Sequence, residues 1–143
     1  MSMLVAAVVF VPLLAVAIAH FVWSVGGTWP IRDEALLART VVGLPGITRM
    51  PPRIMSFGVA LATLAAGVAA LALADDSGGG AWLTIIGALL AMVFLGRGAI
   101  GFTAAWRARF PEEPFATLDR KNYSPLCLAI GAGFLILVVL RLV

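Results

Sequence analysis

The chain of 143 residues has one cysteine, one histidine and one tyrosine, and charged residues make up only 12% of it. With Cys127 alone, an intramolecular disulfide, a Cys-x-x-Cys redox pair and a multi-cysteine zinc site are excluded. His20 alone offers no His-x-x-x-His spacing, so no metal site is expected, and a bis-histidine haem would need a second copy of the chain. No serine or cysteine nucleophile has a base beside it, and no glycine-rich loop could cradle a phosphate. The apolar runs hold no aspartate or glutamate, which excludes exporters that depend on a carboxylate deep in a helix. A soluble domain is about 25% charged. The 17 charges here could not cover the surface of a soluble core of this size. An ordinary soluble enzyme, a disordered chain and a nucleic-acid binder are thereby ruled out.

What is present is apolar, at 62% of the residues. A helix needs about 20 residues, at about 1.5 Å each, to cross a bilayer. Four runs reach that length: about 3–26, 54–74, 81–105 and 125–143. Helices satisfy their own backbone in lipid, so the expected fold is all-α. It is a membrane four-helix bundle in up-down-up-down order, forming one integral membrane domain over 1–143.

The ends of the runs carry helix punctuation. Pro51 and Pro52 precede the second run, Ser124-Pro125 reads as an N-cap with proline at the first helical position, and Pro12 should bend the first helix. Ser77-Gly78-Gly79-Gly80 predicts a tight turn that makes the second and third helices antiparallel neighbours. Ala17-Ile18-Ala19 has the look of a signal-peptidase site. However, residues 1–3 lack a basic residue and the apolar run continues through Trp23, so the segment reads as a span.

Basic residues set the expected orientation. Segment 27–53 holds Arg32, Arg39, Arg49 and Arg53, and segment 106–124 holds Arg107, Arg109, Arg120 and Lys121. The turn at 75–80 holds two aspartates and no basic residue. Both long segments should therefore face the cytoplasm, with both termini extracytoplasmic, in the inner (plasma) membrane. Arg141 is the one dissenting charge. Within 27–53, Asp33 to Val42 should form a short amphipathic helix resting on the interface. Trp29, Trp106 and Tyr123 stand where an aromatic belt is expected. The stretch Pro111-Glu112-Glu113-Pro114 should turn the chain so that Phe115 to Leu118 folds back on the bundle.

Close packing in lipid favours small residues. Gly58, Ala62, Ala66, Ala70 and Ala74 recur every four residues along the second helix. Gly87, Ala91 and Gly131 could match them, or the stripe could be a homodimer face or a contact with a larger membrane complex. The Gly-x-Gly at 131–133 lies inside a helix and reads as packing.

Two ionisable residues fall within spans. Arg97 is expected about eight residues, or about 12 Å, from the cytoplasmic end of the third helix, and His20 at similar depth in the first. Such residues mark functional candidates with a partner nearby. For Arg97 the partners within reach are Asp119, Glu112 and Glu113. A snorkelling arginine or a structural staple is the plainer reading. His20 and Trp23, three apart, share a helix face.

These residues also carry a resemblance. The stretch from His20 through Trp23, Gly26 and Gly27 resembles an H-x-x-W-x-x-G-G element. Arg97 with Gly98 and Gly101 resembles an arginine-glycine element. Phe115 to Asp119 and Tyr123 to Leu128 resemble "F-x-x-L-D … Y-S-P-L-C-L". Together they are similar to a small bacterial membrane family, domain of unknown function 3995, across the whole chain. Where some members carry an acidic residue after the glycine of the arginine element, this chain has Phe102. The resemblance implies a four-helix integral membrane protein, assigns no reaction, and marks His20, Trp23, Arg97, Asp119 and Tyr123 as one set.

The expected function is non-enzymatic. The five residues would form a cytoplasm-facing pocket for a lipid or amphiphile, or for a partner membrane subunit, without a cofactor or nucleic acid. The alternatives are a membrane enzyme on a lipid-like substrate, with His20 or Asp119 as proton carrier, and a homo-oligomeric transporter or channel subunit.

Overall fold

A computed structural model describes residues 1–75 and 78–143. In chain order the helices are α1 (Ser2–Ser24), α2 (Glu34–Val41), α3 (Arg53–Ala74), α4 (Gly80–Ile100), α5 (Ala104–Arg109) and α6 (Phe115–Leu118). A π-helical turn (Asp119–Tyr123) and α7 (Ser124–Leu142) complete the chain. No strand occurs among the described residues. Among the described residues, four helical stretches are long and apolar enough to cross a membrane: α1, α3, α4 and the continuous run Phe115–Leu142 that ends in α7. The all-α, four-helix architecture read from the sequence is the one observed.

The helices associate as two close pairs. α3 packs chiefly on α1 and α4 on α7, and α7 also touches α1. α3 and α4, consecutive in sequence, make much less contact. The expected Ser77-Gly78-Gly79-Gly80 turn includes Ser77 which, with Asp76, lies outside the described residues. Gly79 enters α4 at φ 86°.

Glycines set the α4–α7 seam. A Cβ on Gly131 would stand 2.7 Å from the backbone nitrogen of Leu95, and one on Gly98 would stand 2.9 Å from that of Leu128. The two backbones thus meet at reciprocal glycines, the contact that drives helix association where lipid competes equally for apolar surface. Gly131 therefore serves α4 and not the alanine stripe of α3. That stripe divides. Ala66, Ala70 and Ala74 are buried in the cluster around Val9 and Leu13 of α1, whereas Gly58 and Ala62 are exposed. A four-residue step overshoots a turn by about 40°, so five such positions cannot share one face. Ala66 and Ala70 are spent inside the chain, leaving only the Gly58–Ala62 end of the expected dimer face outside.

The third span is shorter than expected. α4 stops at Ile100, and Thr103 starts α5 by accepting the Trp106 backbone N–H at 3.2 Å. Arg97 therefore sits in the last turn of α4, not well inside the span. At the far end, Arg141 donates to the backbone carbonyls of Asp75 and Gly78. This explains the one basic residue on that side: it caps the end of α3, where a helix dipole favours a cation.

The two ends of the bundle differ in solidity. Away from the long connections, Val9, Leu13, Leu73, Phe134 and Leu137 interlock with almost no exposure. Toward the connections the helices enclose a cavity of about 540 Å³. α2 lies over this end with Leu37 and Ala38 fully buried, so it rests on protein more than on the interface. Phe115 is 5% exposed, folded back against the bundle as expected.

The reciprocal seam makes a prediction. Gly131→Val should destabilise the protein by about 1–3 kcal/mol, the usual cost of overpacking. Gly96→Ala, where an added Cβ meets nothing within 4 Å, should leave thermal unfolding in detergent unchanged.

Candidate functional site

Arg97 is tied at three points. One terminal nitrogen donates to Asp119 Oδ1 at 2.6 Å and the other to Ser124 Oγ at 3.2 Å. Its guanidinium carbon lies 4.4 Å from the centre of the Trp106 ring. Trp106 Nε1 then donates to Asp119 Oδ2 at 3.0 Å. Both carboxylate oxygens of Asp119 are engaged and the residue is 2% exposed. The cluster is closed and neutral, an ion pair with its remaining lone pairs satisfied and a π face beneath the cation.

Local backbone makes this possible. In the π turn the Ser124 N–H reaches back five residues to the carbonyl of Asp119. The helix continues through this turn into α7, so Ser124 is no N-cap, and its hydroxyl is free to accept from Arg97. Gly101 has no side chain because Ser124 Oγ occupies that space.

Glu112 and Glu113, the other expected partners of Arg97, act elsewhere. Glu112 accepts the Gly46 N–H at 3.2 Å and its own N–H donates to the Gly43 carbonyl at 3.2 Å, joining the two long connections. Glu113 accepts from the backbone and hydroxyl of Thr117 at 3.1 Å and 2.9 Å.

His20 Nδ1 lies 2.9 Å from the Val16 carbonyl oxygen. A carbonyl only accepts, so Nδ1 carries the proton and Nε2 of the neutral ring is an acceptor. Nε2 has no partner among the described residues. The ring lies 4.6 Å from that of Trp23, as the i, i+3 spacing predicts. Trp23 Nε1 donates to the Trp29 carbonyl at 2.6 Å, drawing the chain back after Gly26, whose φ is 91°. Tyr123 donates to the Thr40 carbonyl at 3.1 Å and so fastens α2 to the π turn.

Four of the five marked residues, His20, Trp23, Arg97 and Tyr123, line the 540 Å³ cavity. Asp119 does not. It stands behind Arg97 as a counter-ion. Of the three expected belt aromatics only Trp29, at 64%, is strongly exposed. The remaining walls are mostly aliphatic and aromatic and include Leu13, Phe94, Phe115 and Ile130, with the thiol of Cys127 among them. Trp106 and Ser124 were not marked by the sequence, because their roles depend on the chain bend at Gly101 to Thr103 and on the π turn. No group of three His, Cys, Asp or Glu residues that could hold a metal occurs among the described residues.

Fold and site define a multi-pass membrane protein with an apolar cavity at one end of its helices. The family model described as "Protein of unknown function (DUF3995)" matches residues 13–134, and the chain belongs to that family. No curated protein and no solved structure matches the chain.

Removing one member of a buried pair strands the other. Arg97→Met should lower stability by about 3–5 kcal/mol, and Arg97→Met with Asp119→Leu should recover most of the loss. A thermal-unfolding double-mutant cycle measures this. Additive losses would mean that the pair is not coupled.

Proposed function

We propose that this protein is an inner-membrane protein of a bacterium that holds an amphiphilic molecule in the cavity at the end of the bundle carrying the long connections. The supporting observation is the lining. The walls are apolar and the volume falls in the range of about 300–1,000 Å³ typical of small-molecule sites. The polar groups His20, Arg97 and Tyr123 come from helix positions near the long connections, and the Ser56 and Thr63 hydroxyls of α3 add to the lining. Such a site accepts an apolar tail and orients one polar head. Eight basic residues in the two long segments favour placing this end on the cytoplasmic side, with both termini opposite.

His20 keeps an enzymatic reading open, since an unpaired Nε2 in a cavity can move a proton. A pore is less well supported, because Val9, Leu13, Phe134 and Leu137 fill the other half of the bundle with apolar side chains.

Cys127, the single thiol, lines the cavity and reports on its occupancy. Ala19→Phe, which projects a ring into the cavity, should slow maleimide labelling of Cys127 and strip co-purifying lipid seen by native mass spectrometry, with the unfolding temperature kept. Retained lipid with blocked labelling would defeat the proposal. For orientation, Thr48→Cys in a Cys127→Ser background should react with an impermeant maleimide only after the cells are broken.

A further inference from the structure

We infer that the cavity selects an uncharged amphiphile whose head both donates and accepts a hydrogen bond, such as a long-chain alcohol or hydroxyl-headed lipid, and rejects anionic and cationic heads. This deepens the amphiphile reading above and rests on it. The argument is one of charge. Among the described lining residues, Arg97 is the only one with a fixed formal charge. That charge is already matched by Asp119 at 2.6 Å, with Trp106 beneath it and Ser124 alongside. A carboxylate or phosphate entering the cavity would have to break this pair or stay uncompensated among apolar side chains. A buried unpaired charge is costly in either sign. A quaternary ammonium meets the same difficulty, because no carboxylate is among the described lining residues.

The hydrogen-bonding groups that remain are neutral in effect and of both kinds. The Ser56 and Thr63 hydroxyls in the lining are uncharged as well, the latter donating to the Val59 and Ala60 carbonyls. His20 Nε2 is an acceptor, because Nδ1 is held by the Val16 carbonyl. A guanidinium has five N–H groups. Arg97 uses two of them on Asp119 and Ser124, and its side chain is 29% exposed. Tyr123 spends its proton on the Thr40 carbonyl and keeps only acceptor capacity. A hydroxyl head donates a hydrogen bond to His20 Nε2 and accepts one from Arg97. An ether or hydrocarbon leaves His20 unmatched.

Decan-1-ol, decanoate, decyltrimethylammonium and decane share one tail length and differ in the head. With the full-length protein in nanodiscs at about pH 8, where decanoate is ionised, protection of Cys127 against maleimide is compared across the four. Decan-1-ol should protect at least about tenfold better than the two ions and the alkane, one well-made hydrogen bond or one avoided buried charge each being worth about that factor. His20→Leu should erase its advantage over decane while decane itself still protects. Asp119→Asn, which frees the Arg97 charge, should turn the preference toward decanoate. If that variant fails to fold, the His20→Leu comparison still decides. Strongest protection by decanoate or the ammonium in the wild-type chain would overturn the neutral-head inference and leave the cavity reading standing. Equal protection by all four would also overturn it. Protection by none would mean that the cavity takes no amphiphile, so the earlier proposal fails with it.

Discussion

The ion pair between Arg97 and Asp119 governs this end of the molecule. It joins the last turn of α4 to the π turn before α7, and it recruits Trp106 from α5 and Ser124 from α7. Four separate pieces of chain meet on two charges. Because Asp119 is buried, α4 cannot move away from the π turn without leaving a carboxylate unpaired in a poorly solvated site, a cost of several kcal/mol, on the order of 3–5. Trp106 and Ser124 steady the pair through one hydrogen bond each. The chain from α4 to α7 is therefore held as one rigid wall. Tyr123 extends that wall to α2 through Thr40, and Glu112 extends it to the turn at Gly43 and Gly46. The cavity is what this wall encloses against α1 and α3.

Packing elsewhere follows a different rule. The α4–α7 seam relies on the absence of side chains at Gly98 and Gly131, where backbone meets backbone. In the α1–α3 pair the Phe10 and Leu13 side chains fill the space left at Gly67, and Ala66 and Ala70 are buried in the same cluster as Leu13. Small residues bring helices close where lipid supplies no other drive, and the charged cluster adds the specificity that small residues lack.

Much of this was legible in the residues. Span number and type followed from runs of about 20 apolar residues, because a bilayer permits few other solutions. His20 and Trp23 were visible as a pair through helical spacing, and Arg97 with Asp119 through their shared end of the bundle. The parts that were not legible depend on backbone breaks. The end of α4 at Ile100 turns Trp106 under Arg97, and no spacing rule predicts that turn. Ser124 followed by Pro125 looks like a helix start, yet a preceding π turn carries the helix through it. The alanine stripe of α3 read as one face because steps of four look straight in sequence, although a helix winds them apart.

The unequal filling of the bundle has a consequence for traffic. One half is interlocked by Val9, Leu13, Leu73, Phe134 and Leu137, and the other half holds the cavity. If the cavity takes a molecule dissolved in the membrane, as proposed, that molecule would enter from one leaflet only, because the interlocked half leaves it no way through. On that proposal the protein would sample a single monolayer, and flipping a lipid across the bilayer would hide it from this site as completely as destroying it.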